Sequence, residues 1–127
     1  MISPAVRSGV LSLVLLLVGC THGPDNLTGK TYEAIKKSKL AFEMAYEYRD
    51  ADGFAFAQPY LEAQKAVQQV REVASSREDG YALTTAETCI NFIQHYRSFV
   101  QLKAATDAAN TLVLLNECKG DYYRMTQ

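Results

Sequence analysis

The sequence predicts an all-α fold, an antiparallel bundle of three or four helices that follows a leader segment and a short tether. Three observations carry that prediction. Apolar residues recur at alternating spacings of three and four along three long segments, which gathers them on one side of a helix. Glycine and proline number only 7 and 3 in 127 residues and are confined to a few places. No alternation of β-branched residues persists long enough to make a strand.

The chain opens with the three parts of an export leader, residues 1–19. Arg7 supplies a positive head, Val10 to Val18 an apolar stretch, and Gly19 a small residue ahead of Cys20. About nine apolar positions are too few to cross a bilayer, which takes roughly twenty in a helix. The stretch therefore reads as the hydrophobic region of a leader. An ordinary secretory leader that happens to contain a cysteine is one way to read Cys20. Leu17-Val18-Gly19-Cys20 also resembles the lipobox of bacterial lipoproteins, an aliphatic residue and two small or modest ones before the modified cysteine. That resemblance implies a diacylglyceryl thioether on Cys20, cleavage after Gly19 and acylation of the new amino group. Two or three acyl chains, at about 0.8 kcal/mol per buried CH₂, make a durable anchor. Thr21 stands where an inner-membrane lipoprotein carries Asp, so the resemblance implies the outer membrane, at its periplasmic face. Residues 20–29, with Gly23, Pro24, Asp25 and Asn26, read as a polar tether. Fully extended, it reaches roughly 30 Å at 3.3–3.6 Å per residue. The bundle domain is expected over residues 30–127.

The first helix is expected to start at Thr28 or Thr31, either of which can cap it, and to end around Asp50 to Gly53. Ala34, Ser38, Ala41, Ala45 and Tyr48 form a stripe of mostly small residues that lets a neighbour come close, with Ile35 and Phe42 beside it. Lys36, Lys37 and Lys39 lie mostly off this seam, on a solvated face. The link Asp50-Ala51-Asp52-Gly53 is a turn signal, and Pro59 suits the first turn of a second helix over about Gln58 to Ser76. Its seam is Tyr60, Ala63, Val67, Val70 and Ala74. Residues Ser75 to Gly80 read as its closing turn.

A third helix opens near Tyr81 with Ala82, Ala86, Cys89, Ile93, Tyr96 and Val100 in register. Beyond Lys103 the pattern allows two continuations: one helix running to Cys118, or a break at Thr106 and Asp107, good capping types ahead of Leu112 to Leu115. Cys89 and Cys118 bear on the choice. In an oxidising compartment a pair of cysteines favours a disulfide. On one straight helix they stand roughly 43 Å apart at 1.5 Å per residue, far beyond a disulfide's reach. A fold-back near residues 103–107 puts the turn at their midpoint and brings them face to face. Two reduced core thiols, or a bridge between molecules, remain the alternatives at this point.

Composition narrows function by exclusion. Thirteen Lys and Arg balance fourteen Asp and Glu for a net charge of −1, with no basic run to follow a phosphate backbone, so nucleic acid is not an expected partner. His22 and His95 are the two histidines, and no His-x-x-x-His or Cys-x-x-Cys spacing points to a metal. A haem held between Met44 and His95 is the one cofactor arrangement the spacing leaves open; no cofactor is expected. Glu43 with Glu47, and Glu78 with Asp79, are the ordinary carboxylate neighbours of helix faces and turns. No nucleophile elbow, phosphate loop or Cys–His pattern appears, so an enzyme is not expected. Eight tyrosines in a chain without tryptophan suggest a binding surface. Tyr60 and Tyr96 fit core seams, whereas Tyr46, Tyr122 and Tyr123 are candidates for a partner-binding face.

The run KSKLAFEMAYEYRDADGFAFAQPYLEAQKAV, residues 37–67, resembles small alanine-rich helical lipoproteins of Gram-negative outer membranes. The resemblance implies a helical bundle and, since some such proteins are joined to or encoded near peptidoglycan-binding domains, an envelope role. It carries over no functional residues. The expectation is a lipid-anchored, non-catalytic accessory or scaffold that binds another envelope protein. A pilotin-like chaperone of a secretin and a small-ligand or haem binder are the alternatives.

Overall fold

The computed structural model describes residues 27–127 and, ahead of them, two dipeptides, Ile2–Ser3 and Val6–Arg7, paired in parallel. Cys20, the leader's apolar stretch and the tether up to Asn26 lie outside the described residues. Four helices follow: α1 (Gly29–Glu47), α2 (Gly53–Val73), α3 (Arg77–Gln101) and α4 (Ala105–Met125). The all-α bundle is the fold, with four members.

Capping residues set where three of the helices begin. The Thr28 hydroxyl accepts from the Thr31 N–H, so Thr28, one of the two expected caps, starts α1, which stops at Glu47, earlier than its expected end. Asp52 accepts from the Ala55 N–H at 2.9 Å and starts α2 five residues ahead of the expected Gln58. Pro59 therefore sits inside the helix, where it removes one backbone bond. Ser76 and Asp79 form a reciprocal capping box, so the Ser75–Gly80 stretch expected as a turn is the first turn of α3.

α4 has no capping side chain; Ala104 precedes it. Its position comes from the end of α3. The Lys103 N–H bonds the Val100 carbonyl at 3.1 Å and the Ala104 N–H bonds the Phe99 carbonyl at 2.9 Å, the paired bonds of a Schellman motif. Lys103 takes the left-handed conformation that motif requires, φ 60°, a position usually given to glycine. The chain thus reverses at residues 102–104, and Thr106 and Asp107 enter the first turn of α4 without capping it.

The reversal lays α4 back along α3 and joins Cys89 to Cys118, their Cα atoms 5.8 Å apart. Both cysteines are buried. In the chain-entropy account, closing a loop with sequence separation 29 stabilises the fold by about 3–4 kcal/mol.

Two helical hairpins, α1–α2 and α3–α4, therefore make the bundle, each packed most closely within itself. The expected seams meet inside it. Ala34, Ile35, Phe42 and Ala45 of α1 share a core with Ala63, Val67 and Val70 of α2 and with Ala82, Ala86 and Ile93 of α3. α4 adds Ala108, Leu115, Cys118 and Tyr122. The small residues of α1 and α3 let those two helices touch across the bundle, while α2 and α4 scarcely meet. Two expected seams run out at their last residues: Tyr48 of the first and Val100 of the third are exposed.

Candidate functional site

Up-down-up-down topology gives the bundle two unlike ends. At the entry end, where the described chain begins, Asp79 is 0% exposed. Its carboxylate accepts from the Thr28 N–H at 3.0 Å, the Thr28 hydroxyl at 3.0 Å, the Ser75 N–H at 2.9 Å and the Ser76 N–H at 3.2 Å. Burial on its own raises a carboxyl pKa. Here donors from Ser75, Thr28, Ser76 and Thr31 outweigh burial and hold Asp79 well below the usual carboxylate range. The group ties three helix ends together: the N-cap of α1, the link after α2 and the first turn of α3. The Thr31 hydroxyl adds a bond to the Val73 carbonyl, and the Tyr32 hydroxyl one to the Thr126 carbonyl.

The link end holds the two reversals, residues 48–52 and 102–104. Arg97 donates to the Arg49 and Ala51 carbonyls at 2.9 and 2.8 Å and lies over the Phe56 ring, 4.0 Å from its centre. The Tyr96 hydroxyl donates to Asp50 at 2.6 Å. Burial first, and then the Asp50 carboxylate, raise the Tyr96 pKa. These bonds pin the α1–α2 link to α3. They leave large apolar side chains outside: Phe54 is 94% exposed and Leu102 75%, with Tyr48 and Val100 also exposed.

Between α2 and α3 a groove of about 500 Å³ opens at this same end, bounded by Gly53 on one side and Gln101 on the other. Phe56 and Tyr60, stacked 5.1 Å apart, give it an aromatic wall. Gln64, Gln94 and Gln101 supply carboxamides that both donate and accept hydrogen bonds. Further along the same seam, the Arg71–Glu87 ion pair borders a second hollow.

The expected partner-facing tyrosines separate. Tyr122 is a correction: at 1% exposure it is core, its hydroxyl 2.6 Å from Ser38 and its ring against Phe42. It continues the four-residue step from Cys118, so its face was set by α4 itself. Burial pushes its pKa up to about 12, against a smaller opposing effect of the Ser38 hydrogen bond. Tyr46 is half-buried, its ring covered by the Arg49 guanidinium at 4.1 Å and the Lys119 ammonium at 3.9 Å. Tyr123 is exposed, away from the groove. Tyr96 is buried in its seam and Tyr60 partly so.

Met44 and His95, the pair considered for haem, are both exposed. Among the described residues no three His, Cys, Asp or Glu side chains gather as for a metal ion, and no helix is long and apolar enough to cross a membrane.

Sequence reasoning passed over Phe54 and Leu102, although a signal for the first was present. Phe54 and Phe56 lie two apart on one helix, about 200° around it, so only one of them can face the core. No protein family model matches this chain, nor does any curated protein or solved structure.

Proposed function

We propose that the protein is a lipid-anchored, non-catalytic adaptor of the outer membrane that binds another envelope protein through its bundle. The anchor reading rests on Leu17-Val18-Gly19-Cys20. One structural observation supports the adaptor reading above others: the chain enters at one end, and the exposed Phe54 and Leu102 stand at the other. Helices of this length, at 1.5 Å per residue, separate the two ends by roughly 30 Å. A tether fastened to lipid then holds the apolar end clear of the bilayer, where a partner can reach it.

Labelling cells with radioactive palmitate and fractionating the envelope tests the anchor. The expected result is label in the outer-membrane fraction, lost in Cys20→Ser. Crosslinking in intact membranes tests the adaptor role, with one envelope protein enriched over an unrelated lipidated control. A soluble, unlabelled protein overturns the first part, and no enrichment overturns the second.

A pilotin-like role, in which the bundle grips a segment of a secretin subunit, is the second reading; the α2–α3 groove favours it. Failure of a co-expressed secretin to depend on this protein for reaching the outer membrane counts against it.

A further inference from the structure

We infer that the outward face of α4 binds a second copy of itself, the two helices running antiparallel about a two-fold axis at Asn116. The inference goes beyond the adaptor reading and does not rest on it.

α4 carries two stripes in steps of three and four. Ala108, Thr111, Leu115, Cys118 and Tyr122 are buried in the bundle. Ala109, Val113, Asn116, Gly120 and Tyr123 run along the nearly opposite side. Val113 is 57% and Tyr123 59% exposed, and Ala109 and Asn116 are exposed beside them. This outer stripe holds no charge, whereas the outward face of α1 sets Leu40 and Met44 among Glu33, Lys36, Lys37 and Glu47. Gly120 stands inside the helix, where glycine weakens it relative to alanine. Nothing among the described residues requires it: a Cβ there meets the end of the flexible Arg124 side chain at 3.5 Å, an ordinary contact. The notch it leaves faces outward, where another helix comes close.

Reversing the stripe selects the occupant. About Asn116, antiparallel copies set Tyr123 over Ala109 and Val113 over Gly120, large on small at both ends. The two Asn116 carboxamides meet at the axis, each able to donate and accept. Charge agrees. Asp107 lies in the first turn of α4 and Arg124 in its last, so reversal brings each near its opposite, and the helix dipoles oppose favourably. A parallel pair instead stacks Tyr123 on Tyr123 and sets Lys119 beside Arg124. The antiparallel pair has one like-charge contact: Glu117, next to Asn116 on the side toward α3, meets its own copy near the axis. Both link ends stay uncovered, at opposite ends of the pair.

The test is oxidative cross-linking of full-length Asn116→Cys in intact membranes, read as a reductant-sensitive dimer on a gel, with the unsubstituted chain as background for Cys20. The expected result is a dimer with Asn116→Cys and none with Ala109→Cys, whose own copy lies about 20 Å along the axis in an antiparallel pair. Gly120→Leu, added to Asn116→Cys, fills the notch and is expected to cut cross-linking at least about tenfold. The same substitution favours the helix, so a circular-dichroism melt is expected to show no loss of stability. Glu117→Gln removes the repulsion at the axis and is expected to raise cross-linking about two- to threefold. Sedimentation of the unsubstituted chain in detergent repeats the comparison with Gly120→Leu and needs no added thiol.

No cross-link at position 116 above background, an equal one with Ala109→Cys, or cross-linking that survives Gly120→Leu overturns the inference. A monomer at every concentration in sedimentation overturns it as well. A chain that lacks lipid on Cys20 yet dimerises through Asn116 sinks the anchored-adaptor reading and leaves this one standing.

Discussion

The entry end and the link end are built on opposite principles. At the entry end one buried carboxylate collects four close donors and three helix termini converge on it. The link end tolerates compromises instead. Lys103 holds a left-handed backbone, α4 begins without a capping side chain, Pro59 removes a backbone bond within α2, and the buried Arg49 Nε finds no hydrogen-bond partner. Polar groups converge on one carboxylate at the entry end, and the end that carries the exposed Phe54 and Leu102 also carries the left-handed Lys103. That pattern fits a fold whose one end specifies the structure while the other presents a surface.

Asp79→Ala is the largest test of this contrast. It strips acceptors from the Thr28, Ser75 and Ser76 amides, each costing roughly 1–3 kcal/mol when left unmet, for an expected loss of about 4–5 kcal/mol in urea unfolding. Acid adds a signature. Because the folded protein holds Asp79 below the usual carboxylate range, the unfolded chain binds more protons as pH falls. The stabilisation is complete above the unfolded value near pH 4 and is lost as pH drops below it. Asp79→Asn is therefore less stable at neutral pH but less sensitive to acid. If its acid profile matches the wild type, the carboxylate is not the keystone of that end.

Reducing the Cys89–Cys118 bond comes next, with an expected loss of about 3–4 kcal/mol, read by the urea midpoint with and without reductant. The bond spans the middle of α3–α4, so it is expected to destabilise both ends alike in hydrogen exchange.

Tyr122 tests the alkaline side. Its folded pKa of about 12 lies above the ordinary value of 10. Stability is then present below pH 10 and falls as pH rises from there toward 12, by about 2–3 kcal/mol in all. Tyr122→Phe is expected to lose about 1 kcal/mol at pH 7, through the bond to Ser38, and to be spared most of the alkaline decline.

Lys103→Gly relieves the left-handed position and is expected to raise stability by about 1 kcal/mol. Phe54→Ser is the smallest change, within about 0.5 kcal/mol of wild type in a thermal melt, because the ring contributes almost nothing to the core. A large loss there would show the link end to be part of the stabilising core.

These contrasts also mark what the sequence discloses. Seams with alternating three- and four-residue steps located the core faces of three helices, because helical geometry alone decides which residues face inward. Cys89 and Cys118 located the α3–α4 reversal by their midpoint, where local propensity was silent. The same reversal hid its own chemistry, since a lysine occupies the position that a glycine would have announced. α2 and α3 start earlier than expected for a related reason. Asp52 and the Ser76–Asp79 box sit among Gly, Ser and Asp residues that serve turns and caps equally. Only tertiary contact, Thr28 meeting Asp79 across 51 residues, separates a cap from a turn. Leu102 needed the assembled bundle, because its exposure depends on where the reversal after α3 places it.

The bond from Asp79 to Thr28 has a mechanical consequence. A pull transmitted through the residues ahead of Leu27 meets α1 at its first residue, the geometry in which a helix peels turn by turn. The carboxylate holds Thr28, the cap just ahead of that residue, twice, by amide and by hydroxyl. Traction on the preceding chain is thereby handed to α3 and the cross-linked hairpin behind it, so rupture must begin at the Asp79 clasp.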